Sequence, residues 1–253
     1  MVKRIVLLLA LWQCFPVVFI QAQARKRPAP VALTKLQAAA RANPRDPGAH
    51  HALGQAQIKA GQINQAIESI RQAVSLDPNF VEAWRDLGHA CSQKGDFNQA
   101  QQALTRAVEL RPNDPDLRLA LASLLHRMQL LDSAVAEYRL AAQLKPDSAE
   151  IRTNLGFVLA QMGDLSGSIE EFEAAIRIRP DLAEAHYYLG IGRMSAGDLD
   201  GAIAAFRQAC ALKPREVDHL NMLAQALQRR AGQGDEEEAA QVLRRAAEIK
   251  KRR

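Results

Sequence analysis

The histidines and cysteines, the side chains with the greatest potential for chemistry, stand at spacings that build no metal site. The chain has six histidines and three cysteines, and no His-x-x-x-His or Cys-x-x-Cys pair occurs in it. His50 and His51 are adjacent, so on a helix they point to different faces and cannot chelate one ion together. We therefore predict no metal site and no cofactor.

Two further patterns suggest catalysis at first sight, and both have simpler explanations. Gly190-Ile191-Gly192 is a fragment of a glycine-rich loop, but no strand precedes it, as a nucleotide-binding loop requires. Glu236-Glu237-Glu238 is an acidic cluster of the kind that the helix dipole favours at a helix N-terminus. Because no nucleophile stands with a base in a recognisable arrangement, we predict that the protein is not an enzyme.

The elements that hold these residues follow a strict period. Six prolines succeed one another at intervals of 34 residues: Pro44, Pro78, Pro112, Pro146, Pro180 and Pro214. A leucine recurs in the same way and is followed each time by a small residue: Gly54, Gly88, Ala122, Gly156, Gly190 and Ala224. Such evenly spaced punctuation indicates a stack of similar units rather than a single globular core.

Each recurring residue has a structural reason. A small residue lets two helix backbones approach closely, and a bulky residue such as Leu104 lies one turn after the small Ala100 on the same helix face. Gly95 and its equivalents occur where a helix end favours the left-handed conformation, and the proline ends the second helix. The period therefore predicts helix–turn–helix units.

This pattern resembles the tetratricopeptide repeat, a helix–turn–helix unit of 34 residues. The second unit carries the family positions most completely, with Trp84, Leu87, Gly88, Gly95, Asp96, Ala100, Leu104, Ala107 and Pro112. The resemblance implies an all-α fold, a right-handed superhelical solenoid of antiparallel helix pairs. We expect thirteen helices, one unpaired and then six hairpins.

The repeats give the domain boundaries. We predict a half repeat at 31–46, then full repeats at 47–80, 81–114, 115–148, 149–182, 183–216 and 217–253. Gln129 replaces the interhelical glycine of the third full repeat. The sixth full repeat has three extra residues around 232–238 and lacks the final proline, as expected of a terminal repeat.

The N-terminus is a different kind of sequence. Lys3 and Arg4 precede an apolar run over residues 5–20, and Ala22-Gln23-Ala24 then offers a small-x-small cleavage site. We predict a signal peptide at 1–24, cleaved after Ala24, a basic and proline-containing linker at 25–30, and a secreted or periplasmic protein. The basic Arg25-Lys26-Arg27 directly after the site leaves an uncleaved membrane anchor as the alternative.

The net charge of +5 lies at the two ends of the chain, while acids slightly outnumber bases in the repeats over 47–216. A nucleic-acid-binding protein carries a basic stripe on its folded surface, so we predict no nucleic-acid partner. Membrane contact is expected only through the N-terminal segment, or weakly through the basic tails at 25–27 and 250–253.

The resemblance also implies a concave groove lined by the first helix of each repeat. The candidate groove residues are Arg85, His89, Arg127, Phe157, Tyr187, Tyr188 and Ile191. The first three are basic and the last four apolar or aromatic, which favours a ligand with an apolar anchor and an acidic or polar portion. The clamp with which co-chaperones of the family hold a C-terminal carboxylate is replaced here by His51, Gln55, Asp86, Asp116 and Ala120.

These observations predict a non-catalytic protein–protein interaction scaffold. We expect it to be exported or envelope-associated and to bind a peptide or protein partner in the concave groove. The alternative is a membrane-anchored adaptor whose repeats lie in the cytoplasm and serve the assembly of a complex.

Overall fold

The structure, a computed structural model, describes residues 30–251, and it describes the side chains of 33–251. The predicted signal peptide and most of the predicted linker lie outside these residues. Over the described range the chain forms thirteen helices and no strand. They are α1 Pro30–Ala42, α2 Pro47–Ala60, α3 Ile63–Leu76, α4 Val81–Lys94, α5 Phe97–Leu110, α6 Pro115–Arg127, α7 Leu131–Leu144, α8 Ala149–Gln161, α9 Leu165–Ile178, α10 Ala183–Ala196, α11 Leu199–Leu212, α12 Val217–Arg230 and α13 Asp235–Lys251.

The helices form hairpins stacked in two compact units, one ending at Glu137 and the other beginning at Tyr138. In each unit the first helix of a repeat packs on the second helix, which packs on the first helix of the next repeat. The first helices are α2, α4 and α6 in the first unit and α8, α10 and α12 in the second. The predicted all-α solenoid of helix pairs is confirmed.

A turn of two or three residues joins the helices of five of the six described hairpins. The glycines Gly61, Gly95, Gly163 and Gly197 have φ values of 79°, 90°, 85° and 90°. In three hairpins an aspartate follows, and its carboxylate accepts a hydrogen bond from the backbone amide three residues on, as Asp96 does from Gln99. The third full repeat keeps the left-handed turn with Gln129, at φ 60°, although a side chain strains this conformation.

The two helices of a hairpin are held together by a bulky side chain that fills the space a small residue leaves. A Cβ atom added to Gly88 would lie 2.6 Å from Leu104 Cγ and 3.2 Å from the carbonyl oxygen of Ala100. A Cβ atom added to Gly190 would likewise lie 2.6 Å from the nearest ring atom of Phe206. Leu104 and Phe206 are almost completely buried, so these contacts form the centre of each hairpin.

A second recurring contact fixes the turn between repeats. Four repeats use their fourth residue to donate a hydrogen bond to the carbonyl oxygen of the preceding repeat's proline: His50 to Pro44, Trp84 to Pro78, Arg118 to Pro112 and His186 to Pro180, at 2.7–3.0 Å. A proline carbonyl only accepts, so the imidazole nitrogens are donors here. Arg152, at the same position in the fourth full repeat, binds Glu171 instead, and its buried Nε has no partner among the described residues.

We expect Gly88→Leu to lower the free energy of unfolding by several kcal/mol, because overpacking a tight helix contact costs about 1–3 kcal/mol and backbone strain adds to it. The control is Gln93→Leu, on an exposed position of the same helix, which should change stability by less than about 0.5 kcal/mol. Urea unfolding followed by circular dichroism measures both values. Equal losses would show that the helix contact is not where the structure places it.

Candidate peptide-binding surface

Asp86, on α4, organises the polar surface of the first unit. Its Oδ1 accepts hydrogen bonds from Arg85 Nε at 3.1 Å and from Arg85 Nη2 at 3.0 Å. Its Oδ2 accepts from Gln55 Nε2 at 2.8 Å and from His51 Nε2 at 2.9 Å. Because Gln55 and His51 lie on α2, this carboxylate joins two successive first helices. We call the four residues the Asp86 network.

The network keeps Asp86 ionised. Burial alone would raise the pKa of the carboxyl group, but the hydrogen bonds from His51 and Gln55 and the charge of Arg85 outweigh it and lower the pKa to about 2. His89, one turn further along α4, is accessible to water. Protein atoms nevertheless surround its ring, and this desolvation lowers the pKa of His89. The charge of Asp86 raises that pKa, and the charge of Arg85 lowers it further. A neutral His89 can both donate and accept a hydrogen bond at neutral pH.

Arg127, at the end of α6, is also engaged within the first unit. Its Nη1 donates to Ser92 Oγ at 2.6 Å, and its guanidinium carbon lies 5.0 Å from the centroid of the Phe97 ring. That is cation–π geometry. The two arginines expected to attract an acidic ligand therefore already have partners on neighbouring side chains, although the Arg85 side chain is 40% exposed.

The second unit has a cluster of rings instead of a polar network. The cluster consists of Phe157, Phe172, Tyr187, Tyr188, Phe206 and His219. The ring centroid of Tyr187 lies 4.8 Å from that of His219 and 6.0 Å from that of Phe206. The centroid of Tyr188 lies 5.3 Å from Phe157 and 5.7 Å from Phe172. The two adjacent tyrosines thus reach in opposite directions, Tyr187 towards α11 and α12 and Tyr188 towards α8 and α9.

The two tyrosines of the predicted groove are buried in this packing. Tyr187 is 6% exposed and Tyr188 is 8% exposed. Desolvation raises the pKa of both phenols, that of Tyr188 to about 12. Truncating a buried aromatic residue typically costs about 3–5 kcal/mol, so both tyrosines belong to the core of the second unit. Whether either contacts a partner stays a prediction.

The accessible remainder of the predicted aromatic half is small and well defined. Phe157 on α8 and Ile191 on α10 are half-buried and occupy the same position of consecutive repeats. Ile191 lies one turn after Tyr187 and Tyr188 on the same helix. Asn154 on α8, one turn before Phe157, is also half-buried and adds an amide that can donate and accept hydrogen bonds. We call Phe157, Ile191 and Asn154 the apolar–amide patch.

The described residues include possible metal ligands and two thiols. Within 30–251, no three histidine, cysteine, aspartate or glutamate side chains are grouped so as to hold a metal ion. Cys91 and Cys210 are free and buried, and burial raises the pKa of both thiols, that of Cys210 to about 11. Thiols in this state are poor nucleophiles. None of the described helices is both long enough and apolar enough to cross a bilayer.

The helix hairpins match family models described as tetratricopeptide repeat over 30–87, 58–124, 92–142 and 183–216. A model described as TPR repeat matches 131–163 and 158–191. These ranges together cover well over half of the chain, which therefore belongs to the tetratricopeptide repeat family. Proteins of this family are typically non-catalytic scaffolds that bind protein or peptide partners.

Solved structures agree with this assignment. The crystal structure of MamA is 25% identical, with a TM-score of 0.62, over 68% of this chain and 92% of that chain. YrrB, described as a TPR protein with an unusual peptide-binding site, is 20% identical, with a TM-score of 0.63, over 73% of this chain and 95% of its own. MamA from Desulfovibrio magneticus RS-1, residue 41 to the end, is 19% identical, with a TM-score of 0.63, over 67% of this chain and 96% of that chain. Both of these last two show the fold alone. A comparison with curated protein sequences found no match.

Sequence reasoning missed the Asp86 network, although the spacing contained a signal for it. In a stack with a 34-residue period, residues about 31–35 positions apart lie near each other on neighbouring first helices. Gln55 and His51 stand 31 and 35 positions before Asp86. A carboxylate with donors at both spacings is therefore a candidate for a contact between repeats.

Asp86→Asn should remove an acid-sensitive part of the stability. Because the pKa of Asp86 is lower in the folded protein than its ordinary 3.8, its charged form stabilises the fold above that pH, and the contribution is lost as the pH falls to about 2. The shift corresponds to about 2 kcal/mol. Urea unfolding at about pH 7 and about pH 2.5 should show a smaller difference for the variant than for the natural chain. Asp147→Asn, at an exposed carboxylate, is the control and should leave the difference unchanged.

Proposed function

We propose that this protein is a non-catalytic interaction scaffold that binds an extended segment of a partner protein at the apolar–amide patch of the second unit. The observation that supports this proposal is the partial exposure of Phe157 and Ile191 on neighbouring first helices, next to the buried Tyr187 and Tyr188. The packing of the core does not require either of these side chains to be exposed to solvent. Two large apolar groups held side by side at a surface can receive an apolar side chain of a ligand.

The energetics favour one anchor residue with polar surroundings. Burying a leucine- or phenylalanine-sized side chain of the ligand contributes about 1.5–3 kcal/mol. The ring of Tyr188 packs against Phe157 and holds it in place before the ligand arrives, which reduces the entropy lost on binding. Asn154 can donate a hydrogen bond to, and accept one from, the peptide backbone of the ligand. An extended segment presents such backbone groups along its whole length.

The first unit is less suited to provide the anchor site. Its surface at α2 and α4 is polar, and the charge of Arg85 is offset by Asp86 within the network. His89 and the exposed part of Arg85 can add hydrogen bonds and some attraction for an acidic ligand. Contacts of this kind act on the association rate and its salt dependence more than on affinity. We therefore place the anchor at Phe157 and Ile191.

The test uses a ligand selected from a phage-displayed library of random peptides against the chain from Arg25 onward. We expect Ile191→Asp and Phe157→Ala each to weaken peptide binding at least about tenfold in isothermal titration calorimetry, because each removes apolar contact at the anchor. Ile178→Asp is the matched control. Ile178 is a more exposed isoleucine, 38% accessible, on the second helix α9, and its replacement should leave the affinity within about twofold.

Thermal melts of all three variants must stay close to that of the natural chain for the comparison to hold. Tyr187→Ala and Tyr188→Ala are not used, because loss of either buried ring would weaken the fold itself. Peptides whose affinity is unchanged by both patch variants but lowered by Ile178→Asp would place binding on the second helices and overturn the proposal.

We further propose that the protein is exported and acts in the cell envelope or outside it. The support is the arrangement of Lys3 and Arg4, an apolar run over 5–20 and the small-x-small site at Ala24. The second candidate is a membrane-anchored adaptor with cytoplasmic repeats, which the basic residues at 25–27 favour.

N-terminal sequencing separates the two candidates. Cleavage after Ala24 should give secreted or periplasmic material that begins Arg25-Lys26-Arg27. An Ala24→Arg variant should not be cleaved, since signal cleavage requires a small residue at this position. The uncleaved chain should then stay with the membrane. Natural protein recovered from the membrane fraction with Met1 still present would instead support the anchored adaptor.

A further inference from the structure

The preceding second helix, α11, buries a seam of apolar side chains, and the last helix, α13, leaves the equivalent seam uncovered. In α11 this seam holds Ile203 and Cys210, which are 1% and 8% exposed. With three extra residues in the last repeat, the corresponding residues of α13 lie 37 positions later, at Ala240 and Ala247. Ala247 is exposed and Ala240 half-buried. Within the described chain no further hairpin covers them.

The uncovered seam also carries a large apolar side chain and two opposite charges. Leu243 is 40% exposed. At about 100° per residue, five side chains of α13 fall within an arc of about 80°. They are Glu236, Ala240, Leu243, Ala247 and Lys250, which we call the terminal stripe. A different side of α13, with Asp235, Ala239 and Ala246, is the buried one.

The terminal stripe is symmetric about its middle. Leu243 is the central residue of the 17-residue helix. Glu236 and Lys250 stand seven residues before and after it, each about 10 Å away along the axis. Ala240 and Ala247 flank it at three and four residues. A two-fold rotation through Leu243 therefore exchanges the acidic end of the stripe with its basic end.

We propose that the terminal stripe binds the terminal stripe of a second copy of this chain, with the two α13 helices antiparallel. In that arrangement Leu243 meets Leu243 of the other copy at the two-fold axis, and the alanines on either side allow the helices to approach closely. Each Glu236 faces the other copy's Lys250, so two ion pairs form. Such an interface is isologous, the arrangement that cyclic dimers use.

The charges select this arrangement over the alternatives. A parallel pair would place Glu236 against Glu236 and Lys250 against Lys250. A partner of a single charge sign would be attracted to one end of the stripe and repelled from the other. Neither Glu236 nor Lys250 has a hydrogen bond or an ion pair with any described residue, so both are available to a second copy.

One helix face is small for an interface, so the dimer should be weak, with dissociation in the micromolar range or above. α13 packs on α12 and not on α8 or α10, so this pairing leaves the apolar–amide patch of each copy accessible. The dimer does not depend on the proposed peptide binding. If both occur, two patches in one assembly would bind a partner with two segments more tightly than either patch alone.

Sedimentation velocity over a range of concentrations tests the pairing with two charge reversals. Glu236→Lys alone places two like-charged pairs across the axis, and Lys250→Glu alone does the same with the opposite sign. Each variant should dimerise at least about tenfold more weakly than the natural chain. When the two single variants are mixed, one chain presents two lysines and the other presents two glutamates. The mixture should therefore regain dimers that neither variant forms by itself. The double variant Glu236→Lys, Lys250→Glu should also dimerise.

The matched control is Glu237→Lys, in the same helix turn and with the same charge change, but about 120° from Leu243 around the helix. It should leave the dimerisation close to that of the natural chain, whereas Leu243→Glu should abolish it. Circular dichroism confirms that α13 remains folded in each variant. A monomeric natural chain at the highest concentration, or a mixture of the two single variants no more dimeric than its components, would overturn the proposal. Association that is seen only when anionic vesicles are added would also overturn it, because the basic end of α13 would then bind a lipid surface.

Discussion

The close contact between a bulky side chain of the second helix and a small residue of the first helix, as between Leu104 and Gly88, is the interaction on which the hairpins depend. It sets the distance between the two helices, because any side chain at Gly88 would overlap with Leu104. Ile70 fills the space over Gly54 in the same way. Once this distance is fixed, the second helix has another side free for the next first helix. Stacking then follows from nearest neighbours, without long-range contacts along the chain.

The contacts between repeats differ in the two units even though the hairpins are alike. In the first unit a buried carboxylate, Asp86, receives donors from the preceding first helix. In the second unit the rings of Tyr187 and Tyr188 occupy the corresponding space. A charged network requires its partners at defined distances and directions, whereas rings pack against most apolar neighbours. The second unit therefore has aromatic side chains at the positions where the first unit has a charged network.

This difference determines what remains for a partner. Residues that connect repeats are not available for binding without a cost to the fold, and this applies to Tyr187, Tyr188 and Asp86. Phe157 and Ile191 are half-buried and are only partly used by the fold. The terminal helix has the same property at Leu243, because no further hairpin follows among the described residues. Both surfaces arise where stacking leaves an apolar side chain incompletely covered.

The sequence by itself determined the fold class, because its signals are local: a helix end at Gly95, a stop at Pro112, and small and bulky residues one turn apart. It also determined which positions belong to first helices, since the 34-residue period fixes their place. It did not determine whether a side chain at such a position is exposed. Tyr187 is buried because Phe206 and His219, 19 and 32 residues later, come to lie against its ring. Arg85 is paired because Asp86 is held in place by side chains of α2. Only the tertiary structure decided these points, because burial and pairing depend on which residues of neighbouring helices meet in space.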